Sequence, residues 1–407
     1  MRAIPGHGWL RRVGPWVGIG TSPAALMAGG GVAEGVEGWV LVAAVLAGVA
    51  ALTTLAVGQG MLGQRLELPL GGVVAGPLGV EGSRRIASLA MLVMMIGWFG
   101  VNVGVAGTAT GRLLGIPDVA GMVLFALLAL AMTWRGIGSL SWAALAAGVA
   151  TVTLAAWGMH LASDAHGLAL QSARTATDPI SPIEAASLMV GYGAAFALRT
   201  PDFTIDLQRR RQVLWCGLAG LAAPLTAFAL AGATLQAATG TWDLADVMKA
   251  LGSSTGAYLF IAAGFFGSVM SNLFSGSLAL QGAVPIGHRR GMLVVLGIGL
   301  VLAASGFSDR MPAYLVAMAI LAPGLAVLCW WAWPRLTAPP AGWVRYGLVA
   351  WGASVAVGMT FSLSGSGSGA VAAVMVTGFA GLRWLPGVRQ TSPSRQRTRR
   401  AHGDRRG

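Results

Sequence analysis

Charge is scarce in this sequence: Asp, Glu, Lys and Arg together supply 10% of 407 residues, while 55% are hydrophobic and the mean hydropathy is +0.71. That balance excludes a water-soluble domain, which could not keep its surface wet with so few polar groups. Cysteine is nearly missing as well. Cys216 and Cys329 both fall inside apolar stretches, so neither a disulfide framework nor a cysteine metal spacing can be read. There is no phosphate-cradling Gly-Lys-Ser/Thr loop and no nucleophile elbow, and the hydrophilic loops are too short for a catalytic domain. The expectation is a protein that is not an enzyme and carries no cofactor. The formal charge of +13 does not point to nucleic acid, because the basic residues sit in short clusters between apolar runs.

What is present in abundance is hydrophobic sequence of membrane-crossing length. A helix needs roughly 20 apolar residues to cross a bilayer, so the chain has room for about a dozen crossings. Apolar runs set against Gly, Pro and charge punctuation give twelve predicted helices: 13–33, 38–58, 86–107, 118–134, 137–158, 184–200, 212–235, 256–280, 291–305, 312–332, 344–362 and 367–385. The run after Arg2, Arg11 and Arg12 leads straight into a second span, so it reads as a retained first helix and not a cleaved signal. With the N-terminus placed in the cytoplasm, only Arg112, Arg174, Lys249 and Arg310 of the 27 basic side chains fall outside. A missed helix would scramble that partition. The sequence therefore predicts an even number of crossings of a bacterial-type inner membrane, with both termini cytoplasmic. Most tryptophans, such as Trp39, Trp134, Trp157, Trp330, Trp331, Trp343 and Trp384, sit at span ends, where the indole favours the headgroup level. Trp98 lies midway along the third span and needs another explanation.

The spacing also predicts an internal repeat. Helices 1 and 6 begin near 14 and 184, and helices 3 and 8 near 86 and 256, the same offset of 170 residues. In inverted-repeat transporters the first helix of each half is broken near midplane to expose backbone groups. Gly18, Gly20 and Pro23 mark one candidate break, and Gly191, Gly193 and Pro201 the other. Scattered glycines among 61 would also produce such coincidences. The expected organisation is a cytoplasmic N-terminus (1–12), a first repeat (13–158), a second repeat (184–332), two further helices (344–385) and a basic cytoplasmic tail (386–407).

Helix 3 places Trp98 and Asn102 four residues apart, on one helical face. An indole offers a stacking surface and a carboxamide offers an acceptor and two donors, which together suit a flat heterocycle. A packing tryptophan with an interhelical asparagine fits the pattern equally well. In helix 8, Ser268, Ser271 and Asn272 interrupt an apolar span. Asn272 is a second candidate contact to the solute. Ser268 and Ser271 are candidate ligands for a hard cation, with backbone oxygens of helix 1 near Gly18 completing the shell. As helical serines they could instead bond their own backbone. Tyr192 or Phe196 of helix 6 would supply the opposite wall of an aromatic sandwich. Arg199 and Asp202 read as a mutual ion pair at a membrane end. No carboxylate or histidine lies deep in helices 1, 3 or 8, which favours sodium over proton coupling and a neutral solute.

Several short segments carry a family resemblance: GWFGV at 97–101, RGIGSLS at 135–141, PDF at 201–203, DLADVM at 243–248 and LAPG at 321–324. In order and separation they resemble the cytosine permeases of nucleobase:cation symporter family 1, which also holds hydantoin transporters. The resemblance implies an all-α, leucine-transporter-like fold of twelve helices, alternating access and sodium-coupled uptake of a nucleobase such as cytosine. It also gives Trp98 the role of stacking tryptophan, Asn102 that of the neighbouring amide, and Asn272 that of the helix 8 asparagine. The sequence departs from the pattern at Gly193, where a ring is expected and Tyr192 is the nearby substitute, and in the thinned polar cluster of helix 8. Carriage of a hydroxymethylpyrimidine- or hydantoin-like ring stays open, as does a non-transporting receptor or scaffold with a degenerate transporter fold. Sequence leaves the oligomeric state unassigned.

Overall fold

Two Ser-Pro pairs each start a helix. At the first, α1 (Gly14–Gly20) stops, Thr21 and Ser22 leave helical geometry, and α2 (Pro23–Gly35) begins with the Ser22 hydroxyl accepting from the Ala24 N–H at 3.2 Å. Proline suits that first position because it has no N–H to satisfy and its φ is already helical. Predicted helix 1 is therefore broken in two, as its glycines and proline suggested. At the second pair Ser181 caps α8 (Pro182–Thr204), accepting from the Glu184 N–H at 3.1 Å.

The computed structural model describes residues 9–10, 12–134, 137–166, 179–252 and 255–383, without side chains at 137–142, 144–145 and 165–166. The side chains of the RGIGSLS segment, Arg174, His166, Trp384 and the basic tail lie outside the described residues. Between and beyond the two broken or capped segments run α3 (Gly38–Leu66), α4 (Leu70–Gly82), α5 (Ser88–Leu114), α6 (Asp118–Thr133) and α7 (Ile137–His166). After α8 come α9 (Arg210–Trp215), continued through a wider π-turn into α10 (Ala223–Thr239), then α11 (Leu244–Ala250), α12 (Thr255–Ala283) and α13 (His288–Ala304). The chain ends in α14 (Met311–Ala332), α15 (Arg345–Leu363) and α16 (Gly369–Leu382). Among the described residues each predicted span contains helix, and seven helical stretches are long and apolar enough to cross a membrane by length and composition.

Two elements differ from expectation. Residues 59–85 fall between the predicted spans 38–58 and 86–107, yet α3 runs on to Leu66 and α4 follows it. Pro77 and several glycines lie inside α4, where Gly79 adopts φ +78°. That break frees the Val80 and Glu81 N–H groups to donate to the carbonyls of Pro340 and Gly342, pinning α4 to the α14–α15 connection. Helix 6 was the other candidate for an interruption, but α8 is continuous. Gly191 and Gly193 serve close packing: a Cβ on Gly191 would overlap the Leu315 backbone of α14, and one on Gly193 would overlap Leu52 of α3.

The packing is reciprocal in the way an inverted repeat requires. The second predicted helix, α3, packs chiefly on the sixth, α8, while the seventh, α10, packs on the first through α2. The third and eighth, α5 and α12, pack on each other. Glycines set the close approaches, since a Cβ on Gly29 would overlap Ala229 and one on Gly232 would overlap Leu26. Thr200 and Thr204 of α8 donate to the carbonyls of Ala56 and Gly60 on α3, both at 2.7 Å.

Contacts between loops sort them into two ends. At one end Leu70 meets Asp202, Arg12 pairs with Asp206, Ser88 faces Gly282, and Arg289 lies over Trp134. This basic end carries Arg84, Arg85, Arg209, Arg210 and Arg211. At the opposite end Arg112 of α5 pairs with Asp246 of α11 at 3.0 Å, and Trp242 packs on Gly30. Because the Arg112–Asp246 pair is partly exposed, Arg112→Ala is expected to cost less than about 1 kcal/mol in thermal unfolding, with the difference vanishing in high salt.

Candidate functional site

Trp98 is 7% exposed and faces the interior of the bundle, not lipid. Two tyrosines close on it edge-on. Tyr192 of α8 has its ring centroid 5.8 Å away at 89°, and Tyr314 of α14 lies 5.5 Å away at 83°. Gly97 makes the second approach possible, because a Cβ there would come within 2.5 Å of the Tyr314 ring. The remainder of GWFGV is packing: Phe99 is fully buried against Gly299 of α13, and Gly100 meets Leu302. The Tyr314 hydroxyl donates to the Met94 carbonyl at 2.6 Å. The Tyr192 hydroxyl donates to the carbonyl of Ile19, in the last turn of α1 beside the break. One ring thus ties the interrupted helix to the indole.

Asn102, one turn further along α5, is 2% exposed, and its carboxamide oxygen has no partner among the described residues. A buried acceptor left unpaired costs about 1–3 kcal/mol, so a polar guest that donates to it gains that penalty back. On α12, Ser88 opposite Gly282 and Met95 opposite Gly276 fix an antiparallel register with α5. In that register Asn272 lies at the level of Trp98 and Ser268 at the level of Asn102. Phe196 is not brought to the indole. It packs against Trp16 at 5.3 Å and stacks on Phe203 at 5.6 Å and 19°.

The break and α12 meet at Gly264, where a Cβ would come within 2.8 Å of Pro23 and of the Thr151 hydroxyl of α7. Ser268 follows one turn later on the same face of α12, toward the basic end, as the last turn of α1 lies on that side of Pro23. Among the described residues the carbonyls of Gly18 and Gly20 accept no hydrogen bond, because Thr21 bonds Val17 and Ser22 bonds Ile19. Ser268 and Ser271 are half-buried, and neither bonds its own backbone as the helical threonines do. Neutral hydroxyl and carbonyl oxygens are the donor set a hard monovalent cation accepts. Gly18 itself sits on the outer side of α1, with open space beyond its Cα.

No protein-family model and no curated protein matches the sequence. Solved structures do match in shape. Mhp1, a nucleobase-cation-symport-1 family transporter, aligns in a closed conformation with bromovinylhydantoin bound at a TM-score of 0.74 and 17% identity, covering 92% of this chain and 91% of that one. Its inward-facing conformation aligns at 0.77 and 16% identity, covering 93% and 91%. The fold is that of Mhp1. A sodium-coupled sialic acid symporter aligns at 0.60 and 15% identity, covering 91% and 88%. The chain is thus an all-α, multi-pass membrane protein with the leucine-transporter-like architecture, and at these identities the likeness speaks of fold.

Tyr314 was not legible in the sequence, because it is the third residue of predicted helix 312–332, where a tyrosine reads as a headgroup-level anchor. Nor did the sequence point to a cavity. Starting one turn below Trp98, at Met94, a hollow of about 230 Å³ opens toward the basic end between α4, α5, α8, α12 and α14. Arg199 and Asp202 both line it, but the expected ion pair between them is not formed. Asp202 instead accepts the Leu70 N–H at 2.7 Å and holds the start of α4.

Proposed function

We propose that this protein is a secondary transporter that imports a small planar heterocycle, a nucleobase such as cytosine or a related ring, by sodium symport and alternating access. The observation that carries this reading is the buried Trp98, held beside the α1–α2 break by Tyr192 and one turn from an unpaired carboxamide oxygen. The solute stacks on the indole, and its polar edge meets Asn102 and Asn272. A sodium ion takes the hydroxyls of Ser268 and Ser271 with carbonyls of the last turn of α1, including Gly18. Coupling follows if the ion stabilises the arrangement of α1 and α12 that also holds the solute, since a ligand shifts an equilibrium only by its differential affinity. The bundle of α1, α2, α3, α8 and α10, drawn from both repeats (13–158 and 184–332), then rocks against the α5–α12 pair about the solute in a bacterial-type inner membrane with both termini cytoplasmic.

A hydantoin-like ring is the second reading, favoured by the likeness to Mhp1, which has been seen with bromovinylhydantoin bound. Uptake of labelled cytosine and hydantoins into proteoliposomes separates these solutes. Accumulation above equilibrium only under an inward sodium gradient is the expected result, and Ser268→Ala with Ser271→Ala should raise the sodium concentration needed for half-maximal uptake. Saturable binding without accumulation would instead identify a receptor and overturn the transporter reading.

A further inference from the structure

Arg199 makes no direct ion pair among the described residues, and the nearest charge acting on it, Asp202 one turn away, is held by the Leu70 N–H. Its Nη1 lies 3.9 Å from the Met95 sulfur, and its Cζ lies 5.6 Å from the Phe203 ring centroid. Among the described residues no carboxylate comes within ion-pairing distance of it. A guanidinium cannot shed its proton, and although the Phe203 face gives it a cation–π contact, neither that face nor a thioether sulfur satisfies its N–H donors as an acceptor oxygen would. Such a charge in a membrane interior is costly and is usually retained for a ligand. The cavity it lines also holds Ser88 and Ser275, whose hydroxyls bond nothing in the described protein. Ser83, by contrast, is already committed to the Gly71 carbonyl at 2.7 Å. Asp202 stands at the exposed mouth, facing the same space from the basic end.

We propose that this hollow is a second binding site, open to the basic end, for the carboxylate of a small organic acid. The guanidinium takes the carboxylate, and the hydroxyls of Ser88 and Ser275 donate to its remaining lone pairs. A volume of about 230 Å³ falls below the roughly 300 Å³ at which drug-sized ligands begin to fit, so the guest is a single ring or a short chain. Asp202 at the mouth repels anions, which keeps affinity modest and makes the site selective for monoanions over dianions.

Benzoate and its neutral isostere benzamide test this on the full-length protein in detergent or nanodiscs, by calorimetric titration. Benzoate should bind saturably and benzamide should not. Arg199→Gln should weaken benzoate at least tenfold, Arg199→Lys less, and Asp202→Asn should tighten it. Equal binding of the two probes would overturn the proposal, as would unchanged benzoate affinity in Arg199→Gln. Weaker binding in Asp202→Asn would also overturn it, pointing to a zwitterion held by both charges. Should Arg199→Gln fail to fold, Ser275→Ala decides, with a severalfold loss expected and no loss counting against the site. The measurement uses no transported solute, so it stands or falls apart from the assignment of a heterocycle to Trp98.

Discussion

Trp98→Ala is expected to weaken binding of the planar solute by roughly 5- to 150-fold, since stacking of a base on an aromatic side chain is worth about 1–3 kcal/mol by alanine substitution. Concentrative uptake should fall with it. Removing a buried indole also leaves a cavity, and Trp→Ala changes typically cost about 3–5 kcal/mol of stability, so the paired variant matters. Trp98→Phe keeps an aromatic face and most of the volume, and it should fold and bind with a smaller loss. Equilibrium binding of labelled solute to both purified variants separates lost stacking from lost structure. If both bound like the parent, the solute would have to lie elsewhere.

Gly232→Leu should have the other large effect, this time on the fold. A Cβ at Gly232 would overlap the backbone of Leu26, and the reciprocal overlap occurs between Gly29 and Ala229. These are backbone atoms in the centre of two helices and cannot rotate away as a side chain would. Overpacking costs about 1–3 kcal/mol even where neighbours can shift, and here a whole helix must move. The expected outcome is loss of the monodisperse peak in fluorescence-detected size exclusion and a marked fall in melting temperature. Gly297→Leu is the control, because nothing lies within 4 Å of a Cβ there and its flank faces lipid. It should behave like the parent.

The span pattern was legible because lipid leaves the chain little choice: every run that crosses must be apolar and helical to satisfy its own backbone. The break in helix 1 was legible for a related reason, since Ser22-Pro23 combines an N-cap with a residue that cannot donate. Glycine was the misleading letter. In α8 it reports the nearness of α3 and α14 and not a kink, and in α4 it reports the pin to residues 340–342. Composition cannot distinguish these uses, because each is decided by a segment more than a hundred residues away. The same distance hid Tyr314, which reaches Trp98 from α14 past Gly97. Arg199 and Asp202 misled through proximity. Three residues apart on a helix they look like partners, but Leu70 claims the carboxylate and leaves the guanidinium to the cavity.

The threonine hydroxyls of α8 seated on the carbonyls of α3 have a mechanical consequence. They act as rivets: sliding one helix past the other by half a turn would take both hydroxyls off the α3 carbonyls at once and leave them only the carbonyls of Ala197 and Thr200 in their own helix. Those two helices therefore travel as one plank. Between α8 and α5 the joint is of another kind, crossed by the edges of Trp98 and Tyr192 and by an arginine resting on sulfur. Ring edges shear at little cost. The seam expected to part for the proposed guest is consequently the one that runs past the indole.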